Sequence, residues 1–208
     1  MEVIEVTRRT ALSISPGRIE PNHPAWENSR KPLTGEFPYR GQTLFIVANH
    51  FNSKGGDQAL FGANQPPVRS SENQRHQQAE LVRSFADELL ASDPQARVVV
   101  LGDINDFQFS ETTRILESSG SLTDLISRLP VAEQYTYIFE GNSQVLDNTL
   151  LSPSLLQGRF GRPGYVYDVV HVNAEFADHA SDHDPQVVRL TIQRCTGRNC
   201  ASPGSAAA

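Results

Sequence analysis

Two apolar runs dominate the chain, Thr43-Leu-Phe-Ile-Val-Ala48 and Arg97-Val-Val-Val-Leu-Gly102. Both are continuous rather than alternating and rich in β-branched residues, which predicts strands covered on both faces. Between them, Val82, Phe85, Ala86, Leu89 and Leu90 recur at the i, i+3, i+4, i+7 spacing of an amphipathic helix over Arg75 to Ala91. Asp93-Pro94 ends that helix, because proline cannot continue it. Ser110 suits the N-cap of a short helix through Ser119, with Gly120 as its stop, and another short helix is expected over Leu122 to Leu129.

The remaining pattern is strand-like. Tyr135 to Phe139 and Gln144 to Leu151, joined by Gly141-Asn-Ser143, read as a hairpin. Val3 to Val6, Tyr165 to Phe176 and Gln186 to Ile192 are further strands, while Asn22 to Trp26 and residues 55–74 read as loop. Strands with intervening helices, then mostly antiparallel strands, predict a layered α/β (α+β) architecture. Residues 195–208 are expected to be a disordered tail.

Composition narrows the class. A hydrophobic content of 38% with 20% charged residues is that of a soluble globular protein. No apolar run approaches the roughly 20 residues of a membrane span, so no membrane partner is expected. The net charge of −6 argues against a basic groove as the main means of holding a polyanion. An acidic enzyme can still act on one if bound divalent cations invert the local charge. Cys195 and Cys200 form either a small disulfide loop or two separate thiols, and without nearby histidines they do not suggest zinc. Met1-Glu-Val-Ile-Glu-Val6 lacks the basic region and apolar stretch of a signal peptide. Either the protein is cytoplasmic or the chain starts downstream of its true beginning.

Candidate chemistry collects at strand ends. The first buried strand runs into Asn49-His50, the second into Gly102-Asp103-Ile104-Asn105-Asp106, and the later segments carry Asp147-Asn148 and Ser181-Asp182-His183-Asp184-Pro185. Each alone has an ordinary explanation as a turn or a hydrogen-bonded histidine. Asp147 is harder to dismiss, since a carboxylate inside an apolar strand needs a partner. Two histidines and several carboxylates suit metal-assisted hydrolysis of a phosphate ester. One group deprotonates water and another assists the leaving oxygen, while a cation or amide stabilises phosphoryl charge. No G-x-S-x-G, P-loop or clustered cysteine competes with this reading.

Gly102-Asp-Ile-Asn-Asp106, Leu146-Asp147 followed by Leu150-Leu-Ser152, and Ser181-Asp-His-Asp-Pro185 resemble signatures of the endonuclease/exonuclease/phosphatase superfamily. Asn49-His-Phe-Asn-Ser-Lys54 with Gly55-Gly-Asp57, Arg75 to Ala79, and Tyr135-Thr-Tyr-Ile-Phe-Glu-Gly141 are similar to its secreted bacterial nuclease branch. The resemblance runs from about Arg30 to Leu190 with the motifs in order. It implies a two-sheet sandwich flanked by helices, with the site between the sheet edges. His50 would lie near the scissile phosphate, Asp103 would position or activate water, and Asn105 would hold a phosphoryl oxygen. Asp147 would pair with His183, and Asp182 would contact a divalent metal, Mg²⁺ or else Mn²⁺ or Ca²⁺. Asn148 departs from the aromatic or imidazole residue expected after the aspartate. His23, His76 and His179 are expected in solvent and His171 in a packed or hydrogen-bonded strand position, while Arg75 and Lys54 could meet phosphates, although solvation is the commoner fate of such charges.

The resemblance also implies an Asn and a strand-ending, metal-binding Glu in the superfamily's first half, and no such segment precedes residue 30. The expectation is therefore that residues 1–194 are the C-terminal part of the domain, with a sandwich incomplete at the N-terminus. The N-terminal half would be a covalent partner, and this chain alone would be weakly active or inactive. The implied substrate is nucleic acid, DNA foremost, cut by an endonuclease in an extracellular or periplasmic setting. The alternatives are a phosphatase or lipid phosphodiesterase on the same scaffold, and a non-catalytic interaction module.

Overall fold

Arg97–Asp103 (β4) is the strand around which the fold is arranged. The computed structural model describes residues 3–6 and 11–194. Before β4 come Gly17–Arg18 (β1), Leu33–Tyr39 (β2), Gln42–His50 (β3) and the helix Glu72–Ser92 (α1). After it come Glu111–Glu117 (α2), Thr123–Asp124 (β5), Tyr137–Phe139 (β6), Asn142–Gln144 (β7), Asp147–Leu151 (β8), Pro153–Leu156 (α3), Tyr165–Val169 (β9) and Gln186–Leu190 (β10). The main sheet has the order β1-β2-β3-β4-β8-β5, and β9-β10 and β6-β7 form two-stranded sheets of their own.

The valine run of β4 explains its position. Val98 and Val100 face one side with Phe45, Val47, Leu150 and the buried stripe Val82, Phe85 and Leu89 of α1. Val99 and Leu101 face the other, against Leu44, Ile46, Leu151, Leu155, Tyr165, Tyr167, Val188 and Leu190. Side chains alternate across a strand, so a continuous apolar run feeds two cores, each fully buried aliphatic contributing about 1.5–3 kcal/mol. The result is the expected α/β layering: α1 and α2 on one face, and a second sheet, here only β9-β10, with the short α3 on the other.

Several local expectations are corrected. Helix α1 begins one turn before Arg75, because its first buried positions are polar: Arg75 and Gln78 are 0% exposed. Residues 3–6 make isolated bridges, Val3 to Arg18 and Val6 to Leu12, rather than a strand. Pro24–Trp26 is a 3₁₀ turn capped by the His23 ring, which accepts from the Ala25 amide at 3.1 Å, and Trp26 lies in the core. Strand β2 escaped notice because Gly35 and Pro38 interrupt its pattern; the Arg40-Gly41 turn returns it to β3. Leu122 to Leu129 splits into β5 and a 3₁₀ turn over Ile126–Arg128. The long hairpin is also divided. The Glu140-Gly141 turn joins β6 to β7, whereas β8 leaves at Val145-Leu146 to pair with β4. Beyond Val169 the segment to Phe176 is not strand. The tail, with Cys195 and Cys200, lies outside the described residues.

Candidate active site

Register brings the strand-end residues together. β3 runs parallel to β4 with His50 beside Asp103, and β8 runs antiparallel with Asp147 beside Asp103. Three adjacent strands therefore deliver an imidazole and two carboxylates to one sheet end. Gly102 makes the approach possible: its φ is +122°, and a Cβ there would stand 2.2 Å from the Asn49 carbonyl oxygen. Asn105 follows in the left-handed region at φ +54°, which asparagine tolerates.

His183 arrives from the turn before β10. Its Nδ1–H donates to Asp147 Oδ2 at 2.6 Å, which directs Nε2 outward. Tyr137 pairs with residue 183 through a backbone bridge and tilts its ring against the imidazole at 4.9 Å. Thr136 is fully buried and its hydroxyl accepts from the Leu146 and Asp147 amides, both at 3.1 Å. Asp184 fixes the far side of the turn, accepting from the amides of Val172, Asn173 and Ala174 and from His171 Nδ1 at 2.9 Å. Asn173 then donates from Nδ2 to the His183 carbonyl at 2.8 Å.

On the other side, Asp103 accepts from the Asn105 backbone amide at 2.8 Å and from its Nδ2 at 3.2 Å. Asn105 Nδ2 also donates to the Phe51 carbonyl, so it braces Asp103 and the end of β3 together. His50 Nε2 is 3.5 Å from Asp103 Oδ2 and receives a hydrogen bond from Arg30 Nη1 at 3.0 Å. That bond requires a lone pair on Nε2 and assigns the ring proton to Nδ1.

Electrostatics follow from this crowding. Burial, then the charge of Asp147, pushes the Asp103 carboxyl above the ordinary aspartate value, against the Asn105 amide and the His183 and His50 rings. The Asp147 hydrogen bond raises the His183 pKa; partial burial opposes it, and the charges of Asp147, Asp103 and Asp182 add to it. Burial works against ionisation of Asp184, but His171 and three amides outweigh it and hold that carboxyl low.

The structure thus brings together His50, Asp103, Asn105, Asp147 and His183. Asp182 is exposed and reaches the group through the field it exerts on His183 and Tyr137. Among the described residues, no three His, Cys, Asp or Glu side chains are grouped to hold a cation. Mg²⁺ takes near-octahedral oxygen coordination, whereas Asp103 is engaged by Asn105 and Asp147 by His183. The residues present do not fit the ion, and no step below runs through one.

Sequence reasoning missed Arg30, for which no local pattern exists, and gave no role to Thr136 although it lies in the Tyr135 to Gly141 motif. It also misjudged Arg75, which is fully buried: Nε reaches Asp106 at 3.2 Å, Nη2 reaches Asp57 at 3.3 Å, and Nη1 holds the carbonyls of Asn52 and Ser53. Arg75 ties the loop after His50 to the turn after Asp103. Asn148 finds its partner in Asp124, donating from Nδ2 at 2.7 Å inside the sheet. His76 is half-buried beside Glu72, while His179 is exposed and meets the Asn173 carbonyl.

The fold is a layered α/β one that carries paired histidines and aspartates at one end of its main sheet. The chain belongs to the endonuclease/exonuclease/phosphatase family, whose model matches residues 19–185. No curated protein sequence matches it. Its fold is similar to mannosyl-6-phosphatase Bt3783 of Bacteroides thetaiotaomicron, with a TM-score of 0.51 and 21% identity over 78% of this chain and 57% of that one. Sphingomyelinase C from Streptomyces griseocarneus superimposes with a TM-score of 0.52 and 16% identity, over 77% of this chain and 57% of that one. A truncated Caenorhabditis elegans TDP2 gives 0.51 and 16%, over 76% and 58%. The chain therefore spans less than two thirds of the length of these structures. Among the described residues no helix is long and apolar enough to cross a membrane.

Proposed function

We propose that the protein hydrolyses phosphodiester bonds in nucleic acid, with DNA as substrate and internal cleavage as its mode. The observation that carries this reading is the His183–Asp147 pair, held at 2.6 Å and facing Asp103 across the β4–β8 register. In this proposal Asp103, made more basic by burial, takes a proton from the attacking water, and Asn105 keeps its carboxylate oriented. Asp147 holds the imidazolium form of His183, whose Nε2–H is directed at a phosphoryl or leaving oxygen as negative charge grows there. The Arg30–His50 pair adds donors beside the same phosphate.

The motifs around Asn49 to Gly56 and Tyr135 to Gly141 support the nuclease branch, since loops rather than scaffold set the substrate. An extracellular or periplasmic location belongs to the same proposal, and cell fractionation tests it. The activity test is cleavage of supercoiled plasmid, set against a sugar phosphomonoester and a choline-phosphate ester. Nicking that is lost in His183→Ala supports the proposal. Hydrolysis of either small ester with the plasmid left intact overturns it.

A further inference from the structure

Beside the catalytic group lies a cavity of about 500 Å³ between the loop after Lys54 and the β6-β7 hairpin. Asn105 and Tyr137 line it, and both also touch catalytic groups: Asn105 braces Asp103, and Tyr137 leans on the His183 ring. Whatever fills the cavity is therefore adjacent to the reacting phosphate.

Its walls have two characters. One is aromatic. Tyr137 and Phe139 lie nearly parallel, 13° apart with centroids 6.4 Å apart, and Phe139 is 46% exposed. The other is cationic. Lys54 Nζ is buried, sits 3.7 Å over the Phe107 ring, and lacks a hydrogen-bond partner; its nearest carboxylate oxygen, on Asp106, is 3.9 Å away. Arg69 lines the same wall, with Nη2 paired to Glu72 at 3.0 Å and Nη1 4.0 Å from Asp106. Of the acids there, Asp57 is already bound by Arg75 and Ser71, and Glu140 is exposed at the hairpin turn. An ammonium with no hydrogen bond, only a long ion pair to Asp106, beside an aromatic face in a cavity of about 500 Å³ matches a ligand that joins an anion to a flat ring.

We propose that this cavity receives one nucleotide adjoining the scissile phosphate, its base stacked on Phe139 and Tyr137 and its neighbouring phosphate held by Lys54 and Arg69. The inference rests on the nucleic-acid reading above and adds the subsite, with stacking rather than base-edge readout as its source of affinity. Stacking accepts every base, so the subsite discriminates nucleotides from other phosphate esters but hardly one base from another.

The test is binding of thymidine 5′-monophosphate and of 2-deoxyribose 5-phosphate to the whole chain, by ligand-observed NMR, with thymidylyl dinucleotide cleavage assayed in parallel. The nucleotide is expected to bind about 5- to 150-fold more tightly than the base-free sugar phosphate, the range that one stacked base contributes. Phe139→Ala, at an exposed site, is expected to lower that ratio severalfold with Tyr137 still in place, and Arg69→Gln to weaken both ligands alike. Equal binding of the two ligands, or a ratio unchanged in Phe139→Ala, overturns the subsite. Dinucleotide cleavage with equal binding sinks the subsite alone. Selective binding with neither dinucleotide nor plasmid cut at stoichiometric protein, where even weak turnover registers, sinks the nucleic-acid hydrolysis reading and leaves the subsite standing.

Discussion

Asp124 is 2% exposed, and burial pushes its carboxyl from the usual 3.8 to about 7, with Glu117 adding to the rise and Asn148 opposing it. Asn148 Nδ2 and the Ile126 amide donate to it and favour the carboxylate, but burial and the charge of Glu117 outweigh them and favour the neutral acid. Because the folded-state pKa is raised, the contribution is fully present below pH 4, where both states are protonated. It is lost as pH rises to 7, since only the unfolded chain releases the proton. A shift of about three units at about 1.4 kcal/mol each amounts to about 4 kcal/mol. Asp124→Asn keeps an oxygen for Asn148 and cannot ionise. Urea unfolding of both proteins at pH 4.5 and pH 8 isolates the effect, because His183 and every other titrating group is common to the pair. Relative to the parent, the variant should gain about 3–4 kcal/mol between the two pH values. A double difference under about 1 kcal/mol would refute the assignment of a neutral acid inside this sheet.

Three further outcomes follow from the geometry. Asp147→Asn should cut catalytic turnover by about 10²–10⁴ while lowering the His183 pKa seen by imidazole NMR; an unshifted titration would show that the pair does not form in solution. Gly102→Ala should cost more than about 3 kcal/mol, because its Cβ would stand 2.2 Å from the Asn49 carbonyl oxygen at a φ of +122°; a change below 1 kcal/mol in denaturation would contradict that contact. Arg75→Met should cost about 3–5 kcal/mol by leaving Asp57 buried without its cation and Asp106 with only the longer contacts to Lys54 and Arg69 at 3.9 and 4.0 Å, and retention of parental stability would show those acids to be satisfied otherwise.

Legibility in the sequence tracked how local each determinant was. β3, β4 and most of α1 were readable because burial on two faces or one face leaves a periodic apolar record. His50, Asp103, Asp147 and His183 could be named from strand-end positions and motif resemblance. Their register could not, since pairing of β4 with β8 depends on a strand interruption at Val145-Leu146 that carries no turn residue. Arg75 and Gln78 hid the start of α1 because their burial is supported by hydrogen bonds made across the fold, which periodicity does not register. Arg30 is 20 residues from the ring it touches, and no spacing rule spans that gap.

The contact between His183 and Asp147 crosses 36 residues, and His50 and Asp103 meet only through β3–β4 pairing. Such contacts depend on closing long loops and pairing distant strands, not on any single helix or strand. Secondary structure can form, and much of the valine core collapse, while the imidazole of His183 is still free. Its titration is thus a reporter on completion of the fold, able to separate a collapsed chain from a native one before any substrate is known.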